Sequence, residues 1–279
     1  MKLNLFNYIG GKFYLTDAII SHLYYNTRVY IELFGGSGKV LLNKPLHKIE
    51  LFNDINDDIY NLFSVIRNRK DEFLERLDYV IYSEKFFYEI KDDKPVDDIE
   101  RAIRTFCIMN MSFSASGRSL SYCYARNASN RFFKKVDSID AIYNRIKNVT
   151  FLNRDYSKIL KSIKNDKDFC LYVDPPYFGT ELYYGGEFTK EDHTKLSWWL
   201  NNINHKVVLS YYYFPEIETL YPKDKWYYHE YTVEKRGLNK KVNNESTKCT
   251  ELIITNFKQD KVSKKEGELI CSDGLLESY

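Results

Sequence analysis

The sequence predicts an α/β fold, and three stretches support this prediction. Residues 29–33 are mostly apolar and β-forming, and they run through a glycine loop into a helical pattern. Residues 169–173 form a second short apolar run, which ends at a double proline. Residues 226–235 and 249–257 alternate or run apolar, which is typical of a closing antiparallel pair of strands. Strands followed by helical patterns indicate layers of helices on a sheet.

Composition indicates a globular protein of one large domain or two modest ones. The chain has 279 residues, of which 44% are hydrophobic and 29% charged, and its net charge is +2. No apolar run approaches the length of a membrane span, and Met1–Leu5 does not resemble a signal peptide. The cysteines are odd in number and none has metal-ligand spacing, so we expect reduced thiols in a cytoplasm and no metal. They are Cys107, Cys123, Cys170, Cys249 and Cys271.

The N-terminal third begins with two glycine turns. Asn7–Lys12 is a tight turn with Tyr8 before its glycines and Lys12 after them, and a helix is expected from Thr16 or Asp17, which are good caps. The loop after the strand at 29–33 is Phe34-Gly35-Gly36-Ser37-Gly38. Strand, glycine loop and helix form a nucleotide-binding arrangement, because glycine lets backbone approach a ligand closely. The dinucleotide fingerprint is not matched, which disfavours a nicotinamide enzyme.

A second strand, residues 49–52, leads to Asp54, which lies 19 positions after Gly35. An acidic residue at about that spacing can bind ribose hydroxyls. The structural alternative is that Asp54 caps the following helix, and the two roles are compatible.

Residues 57–104 have a helical pattern, with an acidic stretch at 84–100 that is most simply a solvated face. The next segment, residues 112–136, contains no Asp or Glu and looks rich in loops. Basic and aromatic residues alternate there with small polar ones, which favours contact with nucleic acid over a merely soluble loop. Its cations are Arg118, Arg126, Arg131, Lys134 and Lys135.

The C-terminal half supplies further strands and the most specific motif. Residues 149–153 predict a strand with Asp155 and Tyr156 just past its end, and residues 206–211 predict another. After the run at 169–173, Asp174-Pro175-Pro176-Tyr177 stops the strand, since proline cannot continue a ladder. A carboxylate, a backbone carbonyl and an aromatic face at a strand's carboxyl end suit a planar base with an exocyclic amine.

In order and spacing, these motifs resemble the Dam-type DNA adenine-N6 methyltransferases. The resemblance rests on Asn7–Lys12, the glycine loop with Asn53–Asn56, and Asp174–Tyr177, and it covers most of the chain. It implies a Rossmann-like sheet that binds S-adenosylmethionine, at residues 1–56 and 149–258. It also implies an inserted, mostly helical target-recognition domain at 57–148 and a polar tail at 259–279. Double-stranded DNA is the implied partner, and the oligomeric state stays open.

The resemblance also implies roles for individual residues. Asp174 and Pro175, within the catalytic motif that includes Pro176, would bind the target amine, and Tyr177 would stack on a flipped adenine. The cofactor site would comprise Tyr8, Lys12, Phe34, Gly35, Gly36, Ser37, Gly38, Asp54, Asp155 and Tyr156. The reading stretch of the GATC enzymes is not matched, so the recognised sequence is left open. Two alternatives are an RNA adenine methyltransferase and a non-catalytic DNA-binding protein that keeps the cofactor pocket.

Overall fold

The computed structural model describes residues 2–6, 15–122, 127–163, 168–177, 188–234 and 248–259. Its strands are β1 Val29–Glu32, β2 Ile49–Asn53, β3 Thr150–Leu152, β4 Phe169–Val173, β5 Lys206–Tyr212, β6 Tyr227–Glu234 and β7 Lys248–Thr255. Its helices are α1 Thr16–His22, α2 Lys39–Asn43, α3 Asp57–Asn68, α4 Lys70–Leu77, α5 Glu84–Asp92, α6 Asp98–Met111, α7 Ala128–Asp137, α8 Ile139–Ile146, α9 Tyr156–Ile163, α10 Lys190–Asn201 and α11 Ile217–Leu220. A short 3-10 helix occupies Phe113–Ala115.

The described strands form a seven-stranded sheet in the order β3-β2-β1-β4-β5-β7-β6. β2 pairs in parallel with β3, and β4 in parallel with β5, where Val173 lies opposite Leu209. β7 is antiparallel to both β5 and β6. The sheet is therefore a mostly parallel, Rossmann-like one closed by an antiparallel pair, as the sequence predicts.

The chain groups into two compact units. The first comprises residues 1–16 and 32–156, and the second residues 17–31 and 157–279. In the first unit, α3 and α6 pack together, and an aromatic core joins Phe52, Phe63 and Phe151, whose ring centroids lie 4.7–5.5 Å apart. In the second unit, β4 and β5 contribute buried apolar residues to the core. The boundaries of the target-recognition domain, predicted at residues 57–148, stay a prediction.

The predicted strands are confirmed to within two residues at either end. The prediction of a loop-rich segment at 112–136 is partly wrong, because α7 begins at Ala128. Asn127 caps this helix by accepting a hydrogen bond from the Asn130 backbone N–H at 2.9 Å. Phe132 is buried against Phe106 in the first unit, with ring centroids 5.6 Å apart. An amphipathic helix with a basic exposed face can have the same composition as a basic loop, so composition alone does not distinguish the helix from the loop.

Candidate active site

The predicted site residues fall into two clusters, one in each unit. The first, here called the glycine-loop cluster, contains Phe34–Gly38, Asp54, Asp155 and Tyr156. The second, here called the Asp174 cluster, contains Asp174–Tyr177 and the side chains that contact them. Tyr8, Lys12 and Arg126 lie outside the described residues.

The glycine loop follows β1 and leads into α2 with a backbone that favours glycine. Gly36 and Gly38 have φ angles of 50° and 65°, in the left-handed region that glycine enters without strain. At Gly35 the constraint is packing, because an added Cβ would lie 2.1 Å from Cζ of Phe52. The Gly35 N–H donates to the Asn53 carbonyl at 2.8 Å, which ties the loop to the end of β2. Glycine at these positions therefore sets both the path of the loop and its contact with the core.

Two residues that sequence reasoning did not assign bind the backbone on either side of this loop. The Glu32 carboxylate is 1% exposed and accepts the Leu41 backbone N–H at 2.9 Å, in the first turn of α2. The Asn53 side-chain amide donates to the carbonyls of Leu33 and Arg154, both at 2.9 Å. Both are polar residues at strand ends, and that position in an otherwise apolar run was the available signal.

Asp54 lies directly after β2 and is buried, with both carboxylate oxygens engaged. Oδ2 accepts the Gly36 N–H at 2.6 Å, and Oδ1 accepts the Asn56 N–H at 2.8 Å. Burial raises the pKa of Asp54, and the two backbone hydrogen bonds oppose that rise. The alternative that Asp54 caps α3 is wrong, because the Asn56 side chain is the cap and accepts from Asp58 N and Ile59 N. Asp54 instead fastens the glycine loop to the end of β2.

An aromatic pair stands beside this loop. The rings of Phe34 and Tyr156 have centroids 5.4 Å apart, with Phe34 half-buried and Tyr156 buried. Asp155 precedes Tyr156 at the start of α9 and is half-buried. The cluster thus combines a half-buried aromatic ring with two acidic side chains, Asp54 and Asp155, of which Asp54 is anchored.

In the second unit, Asp174 directly follows β4 and is half-buried. Its Oδ1 accepts a hydrogen bond from the Ser210 hydroxyl at 2.8 Å, and Ser210 Oγ lies 3.1 Å from the hydroxyl of Tyr172. Ser210 and Tyr172 are 0% and 2% exposed. Sequence reasoning missed both, because each lies within a strand whose pattern indicates only burial.

Tyr177 is fixed by contacts with the neighbouring strands. Its ring stacks on Tyr211, with centroids 5.4 Å apart and an interplanar angle of 20°, and it lies 4.9 Å from the ring of Tyr212. Its hydroxyl donates to Oε2 of Glu251 on β7 at 3.0 Å. The Tyr211 hydroxyl in turn contacts Nδ1 of His193 on α10. The aromatic side chain three residues after Asp174 therefore has a defined orientation.

The acid-free segment places its cations unequally in the first unit. Arg118 and Lys134 are exposed, and Arg131 is half-buried. The Lys135 ammonium donates to the Asn4 carbonyl at 2.8 Å, and burial together with Lys39 lowers the pKa of Lys135 to about 7. Ser112 and Leu120 form an antiparallel bridge that closes a turn with Phe113 65% exposed. In the described part of the segment, the turn and Lys134 are thus accessible to a partner.

Within the described residues, no group of three or more His, Cys, Asp or Glu side chains is arranged to hold a metal ion. Among the described helices, none is both long and apolar enough to cross a membrane.

The sequence of this chain is similar to those of known proteins. Residues 8–264 match the model of the D12 class N6 adenine-specific DNA methyltransferases. A DNA adenine methylase of Haemophilus influenzae is 27% identical over 205 residues, covering 64% of this chain and 67% of the relative. The Type II methyltransferase M.MjaIII of Methanocaldococcus jannaschii is 28% identical over 185 residues, covering 54% and 59%. A DNA adenine methylase of Escherichia coli is 23% identical over 214 residues, covering 71% and 76%. The chain belongs to the D12 class of N6 adenine-specific DNA methyltransferases.

Proposed function

We propose that this enzyme uses S-adenosylmethionine to methylate N6 of an adenine that has left the stack of duplex DNA. The single observation that carries this proposal is the Asp174 cluster. It places a carboxylate, held by a buried hydroxyl, three residues before an oriented tyrosine ring, at the end of a parallel strand. A hydrogen-bond acceptor next to an aromatic surface suits the amino group and the face of adenine.

The glycine-loop cluster fits the cofactor by the chemistry of its groups. The Asp54 carboxylate has the acceptor capacity for a ribose hydroxyl in addition to its two backbone donors, because each oxygen has two lone pairs. Phe34 offers a half-buried aromatic surface for the adenine of the cofactor, and Asp155 a further acceptor. Tyr8 and Lys12 belong to the proposed site through the resemblance. When bound, the cofactor supplies an electrophilic methyl group on a sulfonium.

Asp174 has a defined task in this reaction. The N6 lone pair of adenine is delocalised into the ring, so the amine is a poor nucleophile. The carboxylate of Asp174 and the backbone carbonyl of Pro175 would accept its two N–H groups and favour a tetrahedral nitrogen. Held in this way, N6 would accept the methyl group that the bound cofactor supplies, S-adenosylhomocysteine would leave, and the methylated amine would then lose one proton to solvent.

Tyr177 has the second task, which is to hold the extruded base. Extrusion costs a few kcal/mol, and stacking on an aromatic ring offsets part of that cost. Because Tyr211 and Glu251 already fix Tyr177, little side-chain entropy is lost when the base binds. Since its DNA substrate and cofactor occur there, we place the activity in the cytoplasm of a bacterium or of a phage-infected host.

Substitution of Asp174 tests this assignment. Asp174→Ala should abolish methyl transfer while the affinity for S-adenosylmethionine stays within roughly tenfold, because the lost acceptor serves the target amine. Transfer of a tritiated methyl group to duplex DNA and calorimetric titration of the cofactor measure the two quantities. Near-normal turnover by the folded variant would refute the role of Asp174. The same assay with duplex RNA distinguishes the RNA alternative, which the comparisons do not favour.

A further inference from the structure

We infer that Tyr172 and Ser210 form a buried hydroxyl relay that positions the Asp174 carboxylate for the target amine. The inference rests on the proposed function of Asp174 and deepens it, by naming two positioning residues for that site.

Strand register explains why these three side chains meet. β4 and β5 are parallel, with Tyr172 opposite Val208 and Val173 opposite Leu209. Continuing this register by one residue brings Asp174 opposite Ser210. Tyr172 and Asp174 lie two positions apart, so both point to one face of the sheet. The relay is therefore a consequence of the pairing of β4 with β5 in the second unit.

The direction of the two hydrogen bonds follows from the number of protons available. A carboxylate only accepts, so the Ser210 hydroxyl donates its one proton to Asp174 Oδ1. Ser210 then has no proton left for Tyr172, and the Tyr172 hydroxyl must donate to Ser210 Oγ across 3.1 Å. Both donors thus point toward the carboxylate, Tyr172 through Ser210.

Burial determines what this relay can do. Ser210 is fully buried and Tyr172 nearly so, and a hydrogen bond in such surroundings is stronger than one in water. A buried chain with both donors directed at Asp174 fixes the plane of the carboxylate and stabilises its charge. Because both hydroxyls donate their protons toward Asp174, the relay orients the acceptor and does not remove the proton of the amine.

Three variants test the relay: Ser210→Ala, Tyr172→Phe and the double variant. Ser210→Ala should lower kcat roughly ten- to hundredfold, since a hydrogen bond to a charged group is lost. Tyr172→Phe should lower kcat by a smaller factor, roughly three- to tenfold, because it removes only the second donor. The double variant should be no slower than Ser210→Ala alone, because Tyr172 acts through Ser210. Affinities for S-adenosylhomocysteine and for duplex DNA should stay within about threefold of the parent, which separates positioning from binding.

Matched controls remove one buried and one half-buried hydroxyl elsewhere in the second unit. Ser197 is 5% exposed and donates to the Thr194 carbonyl within α10, and Tyr228 donates to the carbonyls of Ile217 and Tyr221. Ser197→Ala and Tyr228→Phe should leave kcat within about twofold of the parent. Melting temperatures identify any loss that comes from folding, and Tyr172→Phe is the milder variant if Ser210→Ala is unstable.

The outcomes separate the relay from the function on which it rests. If the folded Ser210→Ala variant keeps kcat within twofold, or if the two single losses multiply in the double variant, the relay is refuted. If the parent produces no N6-methyladenine, or if Asp174→Ala is as active as the parent, the proposed function itself fails. Reduced kcat with unchanged affinities and no further loss in the double variant supports the relay.

Discussion

At the scale of single residues, Asp54 combines a structural contact with a proposed binding role. Asp54→Ala removes both and should weaken cofactor binding by about 1.5–3 kcal/mol. Asp54→Asn keeps one acceptor oxygen but puts an amide nitrogen opposite a backbone N–H. Calorimetry with S-adenosylhomocysteine and its 2′-deoxy and 3′-deoxy analogues separates the two roles. If Asp54 contacts a ribose hydroxyl, its substitution should weaken the binding of one deoxy analogue less than it weakens the binding of S-adenosylhomocysteine. If the substitution weakens the binding of all three ligands equally, Asp54 only fastens the loop.

His22 gives the second unit a pH-dependent stability. It is buried, its Nε2 lies 2.7 Å from the Tyr231 hydroxyl, and burial with the nearby His229 lowers its pKa to about 4 from 6.5. Above pH 6.5 the His22 ring is mostly neutral in the folded and in the unfolded chain, so its titration does not change the free energy of unfolding. As the pH falls from 6.5 toward 4 the unfolded chain binds a proton that the folded protein does not, and up to about 3 kcal/mol of stability is lost. Urea unfolding of the parent and of His22→Gln between pH 7 and pH 5 measures this term. An identical pH slope in the two proteins would contradict it.

The residue scale also shows what a sequence can and cannot reveal. Asp174 and Tyr177 could be predicted because prolines mark the end of a strand in the sequence itself. Ser210 and Glu251 could not, because their importance depends on which residue lies across the sheet. Even Asp54, found by its spacing, has backbone partners that only the three-dimensional path of the loop brings to it.

At the scale of elements, the glycine loop depends on its packing against β2. In Gly35→Ala the new methyl group would lie 2.1 Å from the Phe52 ring, which is packed by Phe63 and Phe151. Such overpacking should cost about 1–3 kcal/mol of stability and weaken cofactor binding. Phe52→Leu alone should be destabilising, yet in the Gly35→Ala background it should restore part of the loss. Chemical unfolding of the four proteins gives the coupling energy, and strictly additive effects would show that the ring does not limit this position.

The elements themselves divide by the strength of their sequence signals. Strands β4 and β5 could be predicted because apolar runs buried on both faces have clear boundaries. Helix α7 could not, because Phe132 is its one buried residue among the described side chains of the helix. The pairing of β5 with β7 follows from tertiary contacts that no local pattern contains.

At the scale of the whole molecule, the acid-free segment is expected to set affinity and target choice. Lys134→Ala should weaken binding to all DNA sequences alike and lower the salt slope by about one unit. Arg118→Ala should cost about 1–3 kcal/mol at one base pair and relax specificity there, since its planar fork suits a guanine edge. Lys135→Ala should act mainly on stability, because its ammonium is bound to Asn4.

Salt-dependent binding and methylation of sites altered at single base pairs measure these effects. Arg126→Ala and Arg131→Ala complete the set of cations. If all five variants bind and methylate like the parent, the reading surface lies elsewhere, and the next candidate is the segment 236–248, whose sequence carries four basic residues and one acidic residue. Ion pairs within the protein that join residues far apart in the sequence could not be predicted from local patterns. Buried Glu50, for example, is bound by Lys44 and by Arg145, which lies 95 positions away.

The central claim is that this chain moves a methyl group from S-adenosylmethionine to adenine N6 in duplex DNA. The most direct measurement uses cofactor with a deuterated methyl group, DNA from a methylation-free host, and mass spectrometry of the digested nucleosides. We predict N6-methyl-2′-deoxyadenosine that carries three deuterium atoms, formed by the parent and not by Asp174→Ala. Unlabelled adenine after incubation with folded, cofactor-binding enzyme, or label on another base, would contradict the claim.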